Sequence, residues 1–214
     1  MAITALVTGA SRGIGRGIAL GLAKNGYDIA FTYHTKEDKA KSLKEEIIKL
    51  NQRCFYYQAN LEEKEVPEKI VNQAIRDLGR LDVLVCNAGQ TKFTSIRNLD
   101  TSLIDYLYQL NYRSYILATK TAANHMIEKK IKGRIIFISS TRGIRAYPND
   151  AIYGSLKAAL NRLVESLAIE LAEYGITVNS IAPGAIATRN YHSKEDHISD
   201  LVPLDRRGKP LDIA

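Results

Sequence analysis

The sequence predicts an α/β protein: a doubly wound parallel sheet in three layers, with helices on both faces. Three observations carry that expectation. Short apolar runs alternate with helical segments along most of the chain, as expected for buried parallel strands joined by helical crossovers. A glycine-punctuated turn, Thr8-Gly9-Ala10-Ser11-Arg12-Gly13-Ile14-Gly15, lies directly between the first apolar run and the first helical one. The 214 residues, 45% apolar and 25% charged, suit a single domain over residues 1–214 with a substantial core.

Taken in order, Ile3–Thr8 is a short apolar strand. Ile14–Asn25 has helical character and stops at Gly26, and Asp28–Tyr33 is the second strand. Lys36–Asn51 is a charged amphipathic helix with Leu43, Ile47 and Leu50 on one stripe. Arg53–Gln58 is the third strand, and Glu62–Leu78 is a helix closed by Gly79. Asp82–Cys86 is the fourth strand, and Asp100–Lys130 holds one or two helices. Arg134–Ser139 is a fifth strand, followed by a loop bearing Gly and Pro. A long helix runs from near Asp150 to Tyr174, Gly175 stops it, and Thr177–Ala182 is the sixth strand. The long helix places Leu156, Leu160, Leu163, Leu167 and Leu171 on an apolar stripe, opposite Ala158, Ala168, Ile169 and Ala172. Right-handed crossovers make such a chain a doubly wound sheet.

The net charge of +7 permits attraction to phosphates or acidic partners. Lys and Arg are dispersed with no basic, aromatic-interleaved tract, so a solvated surface is expected and no nucleic-acid partner. Cys54 and Cys86 sit in apolar runs without a CxxC partner and read as reduced core residues of an intracellular, cytoplasmic protein. His34, His125, His192 and His197 show no metal-ligand spacing, and no metal is expected. No apolar run approaches the ~20 residues of a membrane span.

Two stretches carry chemistry. In the glycine turn, backbone N–H groups and the positive end of the following helix suit a pyrophosphate. Its GxxxGxG spacing departs from the commoner GxGxxG. In the long helix, Tyr153 and Lys157 are four apart and share a face. A neighbouring cation favours a phenolate, which equips Tyr153 as a general acid or base. Ser140, at the end of the fifth strand, could offer a hydroxyl to the same substrate oxygen. A Tyr and a Lys at this spacing also recur by chance on helix surfaces. Asn87 and Gly89 follow the fourth strand, where an open parallel sheet places its ligands, although an Asn/Gly turn is common there. Asn111 interrupts a helical run, a position Asn does not favour.

Together these residues resemble the short-chain dehydrogenase/reductases, most closely the 3-oxoacyl-acyl-carrier-protein reductase-like members. The matches are TGASRGIG at Thr8–Gly15, NAG at Asn87–Gly89, Asn111, ISS ending at Ser140, YxxxK at Tyr153–Lys157, and Pro183-Gly184 with Thr188 after it. They stand in the family's order over nearly the whole chain, with Ser140 thirteen residues before Tyr153. The resemblance implies a Rossmann-type fold and a catalytic tetrad. Tyr153 would protonate the carbonyl oxygen as hydride arrives. Lys157 would lower the tyrosine's pKa and hold the nicotinamide ribose. Ser140 would polarise the carbonyl, and Asn111 would hold a water linking Lys157 to solvent. The cofactor would lie against Gly9, Ser11, Arg12, Gly13, Ile14 and Gly15, against His34 and Lys36, and against Asn60 and Leu61. Asn87, Ala88 and Gly89, Tyr153 and Lys157, and Pro183, Gly184, Ile186 and Thr188 would complete its site.

NAD-preferring relatives place a carboxylate after the second strand, where this chain has Tyr33-His34-Thr35-Lys36 and no acid before Glu37. Arg12, with His34 or Lys36, could meet a 2′-phosphate, so NADP(H) is expected over NAD(H). Asn60 replaces an Asp common beside adenine. The expected reaction is NADPH-dependent reduction of a carbonyl to a secondary alcohol, on a 3-oxoacyl thioester of fatty acid biosynthesis. The alternatives are an alcohol or sugar dehydrogenase, and an idle NADP-binding sensor or scaffold. The resemblance also implies a homodimer or homotetramer and a mobile lid at Ala187–Leu204. Lys129, Lys130 and Lys132 could dock an acidic carrier, although Tyr174 stands where some relatives have a further basic residue. Relatives continue past Pro210–Ala214 with a helix and a last strand, so the chain is expected to be short at this end, without the C-terminal strand.

Overall fold

The computed structural model describes residues 2–188 and 202–214. Six strands, β1 (Thr4–Val7), β2 (Asp28–Tyr33), β3 (Cys54–Gln58), β4 (Val83–Cys86), β5 (Arg134–Ile138) and β6 (Thr177–Ile181), form one sheet in the order β3-β2-β1-β4-β5-β6. Every neighbouring pair is parallel. The helices are α1 (Gly13–Lys24), α2 (Glu37–Ile48), α3 (Val66–Leu78), α4 (Thr101–Tyr108), α5 (Ser114–Glu128) and α6 (Ala151–Leu171).

The apolar strand runs work because alternate residues serve opposite faces. Ala5, Val7, Ile29, Phe31, Val83 and Val85 pack with Ile18 and Ala19 of α1 and Leu43 and Ile47 of α2. Leu6, Ala30, Leu84, Cys86, Ile135 and Phe137 pack on the other face with α3, α5 and α6. A strand buried on both sides leaves no room for the polar alternation of a half-exposed sheet. The sequence consequently reads as short continuous apolar runs.

The element ends differ from the sequence expectation where a local conformation overrides periodicity. α2 stops at Ile48, since Asn51 takes a left-handed φ of 61°, and Leu50 packs from outside the helix. α3 begins at Val66, because Pro67 fits only its first turn; residues 62–65 are turns instead. Asp100 caps α4 by accepting from the Ser102 N–H at 2.9 Å. α4 and α5 are joined without a break by a wider π turn, Gln109–Arg113. The buried stripe of α6 is Gly154, Lys157, Leu160, Val164 and Leu171, with Leu156, Leu163 and Leu167 only half-buried. The stripe is shifted because the helix inserts Lys157, not a leucine, beneath the end of β5.

β3 and β6 lie at the two edges of the sheet. Residues 210–214 double back over α1, where Gly17 and Gly21 leave room for Pro210 and Ala214. Pro210–Asp212 makes a short 3-10 turn, with Arg206 donating to Asp212 at 2.8 Å.

Candidate active site

β1 and β4 are neighbours in space, but the connections leave them in opposite directions, toward β2 and toward β5. Such a switch point opens a crevice beyond the carboxyl ends of the strands. A cavity of about 440 Å³ occupies it here.

The nucleotide end is built by the glycine turn. Gly9 has a φ of +66°, and a side chain there would sit 2.8 Å from the Cα of Ala88. Its N–H donates to Thr32 Oγ1 at 2.8 Å. Gly15 faces Asn87, and a Cβ would meet the Nδ2 at 2.5 Å. Asn87 is a brace: its Nδ2 donates to the carbonyls of Thr8 at 2.9 Å and Gly9 at 3.1 Å. Thr8, which sequence reasoning passed over, answers from the other side. Its Oγ1 accepts from the N–H groups of Asn87 at 2.9 Å and Ala88 at 3.0 Å. The Thr-Gly and Asn-Ala-Gly motifs are thus one hydrogen-bonded unit across β1 and β4.

Beyond β2, Arg12, His34 and Lys36 are exposed along the cavity wall. Glu37 is not among the lining residues and pairs with Lys41 at 3.0 Å. Glu62, after β3, is the one acid among the described lining residues. Asn60 turns its Nδ2 to Glu62 at 2.8 Å and Glu63 at 3.2 Å. This end is therefore cationic and walled by the glycine turn, and it fits the diphosphate of a dinucleotide.

At the other end, Ser140, Tyr153, Lys157 and Asn111 border the same cavity. Lys157 is 3% exposed and donates its Nζ proton to the Ile138 carbonyl at 2.8 Å. Burial pushes its pKa down from 10.5 to about 7. The Nζ lies 5.7 Å from the centre of the Tyr153 ring and 5.2 Å from that of Tyr115, two faces able to attract a cation. Ser139, another residue the sequence reading missed, locks this lysine's backbone, donating from Oγ to the Lys157 carbonyl at 3.1 Å. Ser140 Oγ accepts the Arg142 N–H at 3.2 Å, which leaves its own proton for another acceptor.

Asn111 sits in the π turn, fully buried. Its Oδ1 accepts from Gln90 N–H at 3.2 Å, and its Nδ2 donates to the carbonyls of Gln90 at 3.1 Å and Leu107 at 3.2 Å. The amide holds down the loop after β4, which accounts for an Asn inside a helix.

The cavity brings together every expected site residue but one. Ile186 is not a lining residue. It forms a bridge to Gly208, and a side chain there would strike its Cδ1 at 2.5 Å. The Ile186 side chain is spent on the returning C-terminal segment, which no local motif could reveal. Thr188 does reach the site, 3.3 Å from where a Gly13 Cβ would stand. Of the expected lid, residues 189–201 lie outside the described residues.

The sequence matches the short chain dehydrogenase family over residues 3–199. The chain belongs to that family. It is similar to 3-oxoacyl-acyl-carrier-protein reductase FabG of Staphylococcus epidermidis, 36% identical over 99% of this chain and 88% of the relative. Among solved structures, acetoin dehydrogenase YohF of Salmonella typhimurium superposes with a TM-score of 0.93 at 32% identity, covering 100% of this chain and 86% of that one. A short chain dehydrogenase of Burkholderia cenocepacia in complex with NADP superposes with a TM-score of 0.92, also at 32% identity, over 99% of this chain and 86% of that one. As a short-chain dehydrogenase/reductase, the protein is an NAD(P)-dependent oxidoreductase acting on CH–OH and C=O groups.

The buried cysteines are free, with burial pushing both thiols up to about 12. Among the described residues no helix is long and apolar enough to cross a membrane. Lys129 pairs with Glu128 at 2.8 Å, so part of the basic cluster is already locally compensated. Tyr174 is exposed.

Proposed function

We propose that this short-chain dehydrogenase/reductase reduces a carbonyl to a secondary alcohol with NADPH, and that its substrate class is 3-oxoacyl thioesters. The observation that carries the reading is a single cavity with a cationic cradle at one end and Ser140, Tyr153 and Lys157 at the other. The bound cofactor supplies hydride to the carbonyl carbon. Tyr153 gives its phenolic proton to the carbonyl oxygen, and Ser140 donates a hydrogen bond to that same atom. Lys157, held beside the ring, stabilises the phenolate as an ammonium, and its proton affinity near neutrality suits it to return a proton to the phenolate and be recharged from solvent. Asn111 holds the loop that walls this end and, in this reading, a water that reconnects Lys157 with solvent. Arg12, His34 and Lys36 meet a 2′-phosphate, and Glu37, turned to Lys41, leaves that position free of a carboxylate.

The likeness to FabG supports the thioester class, a carrier-bound substrate, a place in fatty acid biosynthesis and a cytoplasmic homo-oligomer. The likeness to acetoin dehydrogenase supports a second reading, an alcohol dehydrogenase on a small hydroxyketone using the same residues. Purified protein should oxidise NADPH with acetoacetyl thioesters faster than with acetoin, and Tyr153→Phe should fold, bind NADPH and lose nearly all turnover. Faster turnover on acetoin selects the second reading. NADPH binding with no turnover on either leaves a sensor or scaffold.

A further inference from the structure

Asp150 stands at the N-cap of α6, where an aspartate ordinarily accepts from the first free N–H groups of its helix. Here its side chain caps nothing. It is 3% exposed, and its Oδ2 instead receives Arg142 Nη1 at 3.0 Å. Its Oδ1 is buried without a partner. A buried carboxylate that abandons the helix end must draw its stabilisation from the arginine.

Arg142 is itself held on several sides. Its guanidinium lies 4.3 Å from the centre of the Phe93 ring and 4.4 Å from that of Tyr147. Phe93 in turn meets Tyr153 edge-on, with ring centres 6.4 Å apart. The Arg142 backbone N–H donates to Ser140 Oγ at 3.2 Å. Its carbonyl is close enough to Gly154 that a Cβ there would stand 3.0 Å away. One residue therefore touches the hydroxyl that addresses the substrate oxygen and the first turn of the helix that carries the phenol.

We propose that Arg142 is a positioning residue that sets the separation of Ser140 and Tyr153, acting through Asp150 and Phe93. This rests on the catalytic reading given above. Ser140 and Tyr153 lie on different elements, the end of β5 and the start of α6, and must converge on one oxygen. The loop between them carries Gly143 and Pro148 and has an exposed outer side at Ile144 and Tyr147. Arg142, at the start of that loop, reaches across it by an ion pair to Asp150 at the far end and lays its guanidinium over Tyr147 within the loop and Phe93 in the segment after β4. A misplacement of about 1 Å in such a pair costs on the order of 100-fold in rate.

The test compares wild type, R142M, R142M/D150N and Y153F for kcat, KM and NADPH affinity, with a crystal structure of R142M. R142M should lose about 100-fold in kcat, with NADPH affinity unchanged because the nucleotide end is untouched. Its structure should show Ser140 Oγ and the Tyr153 hydroxyl moved apart. R142M/D150N should unfold at a higher temperature than R142M, since the stranded buried charge is gone, and should keep the loss in kcat, since the bridge is still missing. Wild-type kcat in a folded R142M, or a loss of kcat matched by an equal loss of NADPH affinity, overturns the proposal. An R142M structure with both hydroxyls unmoved overturns it whatever the rates. Full activity in Y153F instead defeats the catalytic reading, and the R142M structure then still decides whether Arg142 sets the spacing.

Discussion

Replacing Lys157 with methionine should silence the protein and make the unliganded chain more stable. The ammonium is 3% exposed, and burial lowers its pKa from 10.5 to about 7. At about 1.4 kcal/mol per tenfold change in proton affinity, this is a penalty of roughly 5 kcal/mol on the folded state. Attraction to the two tyrosine rings returns about 1–2 kcal/mol, and the lost hydrogen bond to Ile138 is worth about 1 kcal/mol. Methionine fills a similar volume, so the net gain near pH 7 is about 2 kcal/mol. The folded pKa lies below the unfolded one, so the folded state binds fewer protons between about 7 and 10.5. The penalty is therefore complete below about pH 7 and fades as pH climbs toward 10.5. Urea unfolding of the cofactor-free proteins at several pH values reads this directly. The variant should lead by about 2 kcal/mol at neutral pH, with the gap closing in alkali. A less stable variant at neutral pH, or a gap that ignores pH, would refute the reasoning.

Arg12→Ala should lower the preference for NADPH over NADH, measured as the ratio of kcat/KM, by about tenfold or more, the worth of a charge-assisted bond to phosphate. Gly15→Ala places a methyl 2.5 Å from Asn87 Nδ2 and 2.6 Å from the Gly9 carbonyl. It should cost about 1–3 kcal/mol in thermal unfolding and weaken nucleotide binding measured by titration. Asn111→Leu strands the N–H and C=O of Gln90, so amide exchange at residues 89–91 should accelerate and stability fall by about 1–3 kcal/mol. Reversing Lys129, Lys130 and Lys132 to Glu should raise KM for a carrier-bound substrate and leave that for a short thioester unchanged. An equal KM for the carrier-bound form removes docking at that cluster.

The residues that build the crevice were legible in sequence because each is set by short-range chemistry. Gly9 and Gly15 are required by close approach, and Tyr153 and Lys157 meet because a helix repeats every 3.6 residues. The strand runs were legible because burial on both faces strips them of polar residues. What escaped depends on contacts between distant parts of the chain. Thr8 matters for what it receives from Asn87 and Ala88. Ser139 matters because α6 lies over it, and the bridge between Ile186 and Gly208 joins segments far apart in the sequence. Of the α6 stripe, Leu160, Leu163, Leu167 and Leu171 pack on the core as their spacing implies; what periodicity could not show is that a lysine, Lys157, is buried among them. Arg142 and Asp150 belong to no local motif, and only the fold places one against the other.

The single widened turn at Gln109–Arg113 makes the helix before it sensitive to residue count. Removing one amino acid there would restore regular winding and rotate all of α4 by about 100° about its axis. Leu107, now fully buried, would swing toward water, and Tyr106 would leave the pocket wall. A shortening by one residue in this stretch should therefore be far more damaging than any single replacement on the outer surface of the same helix.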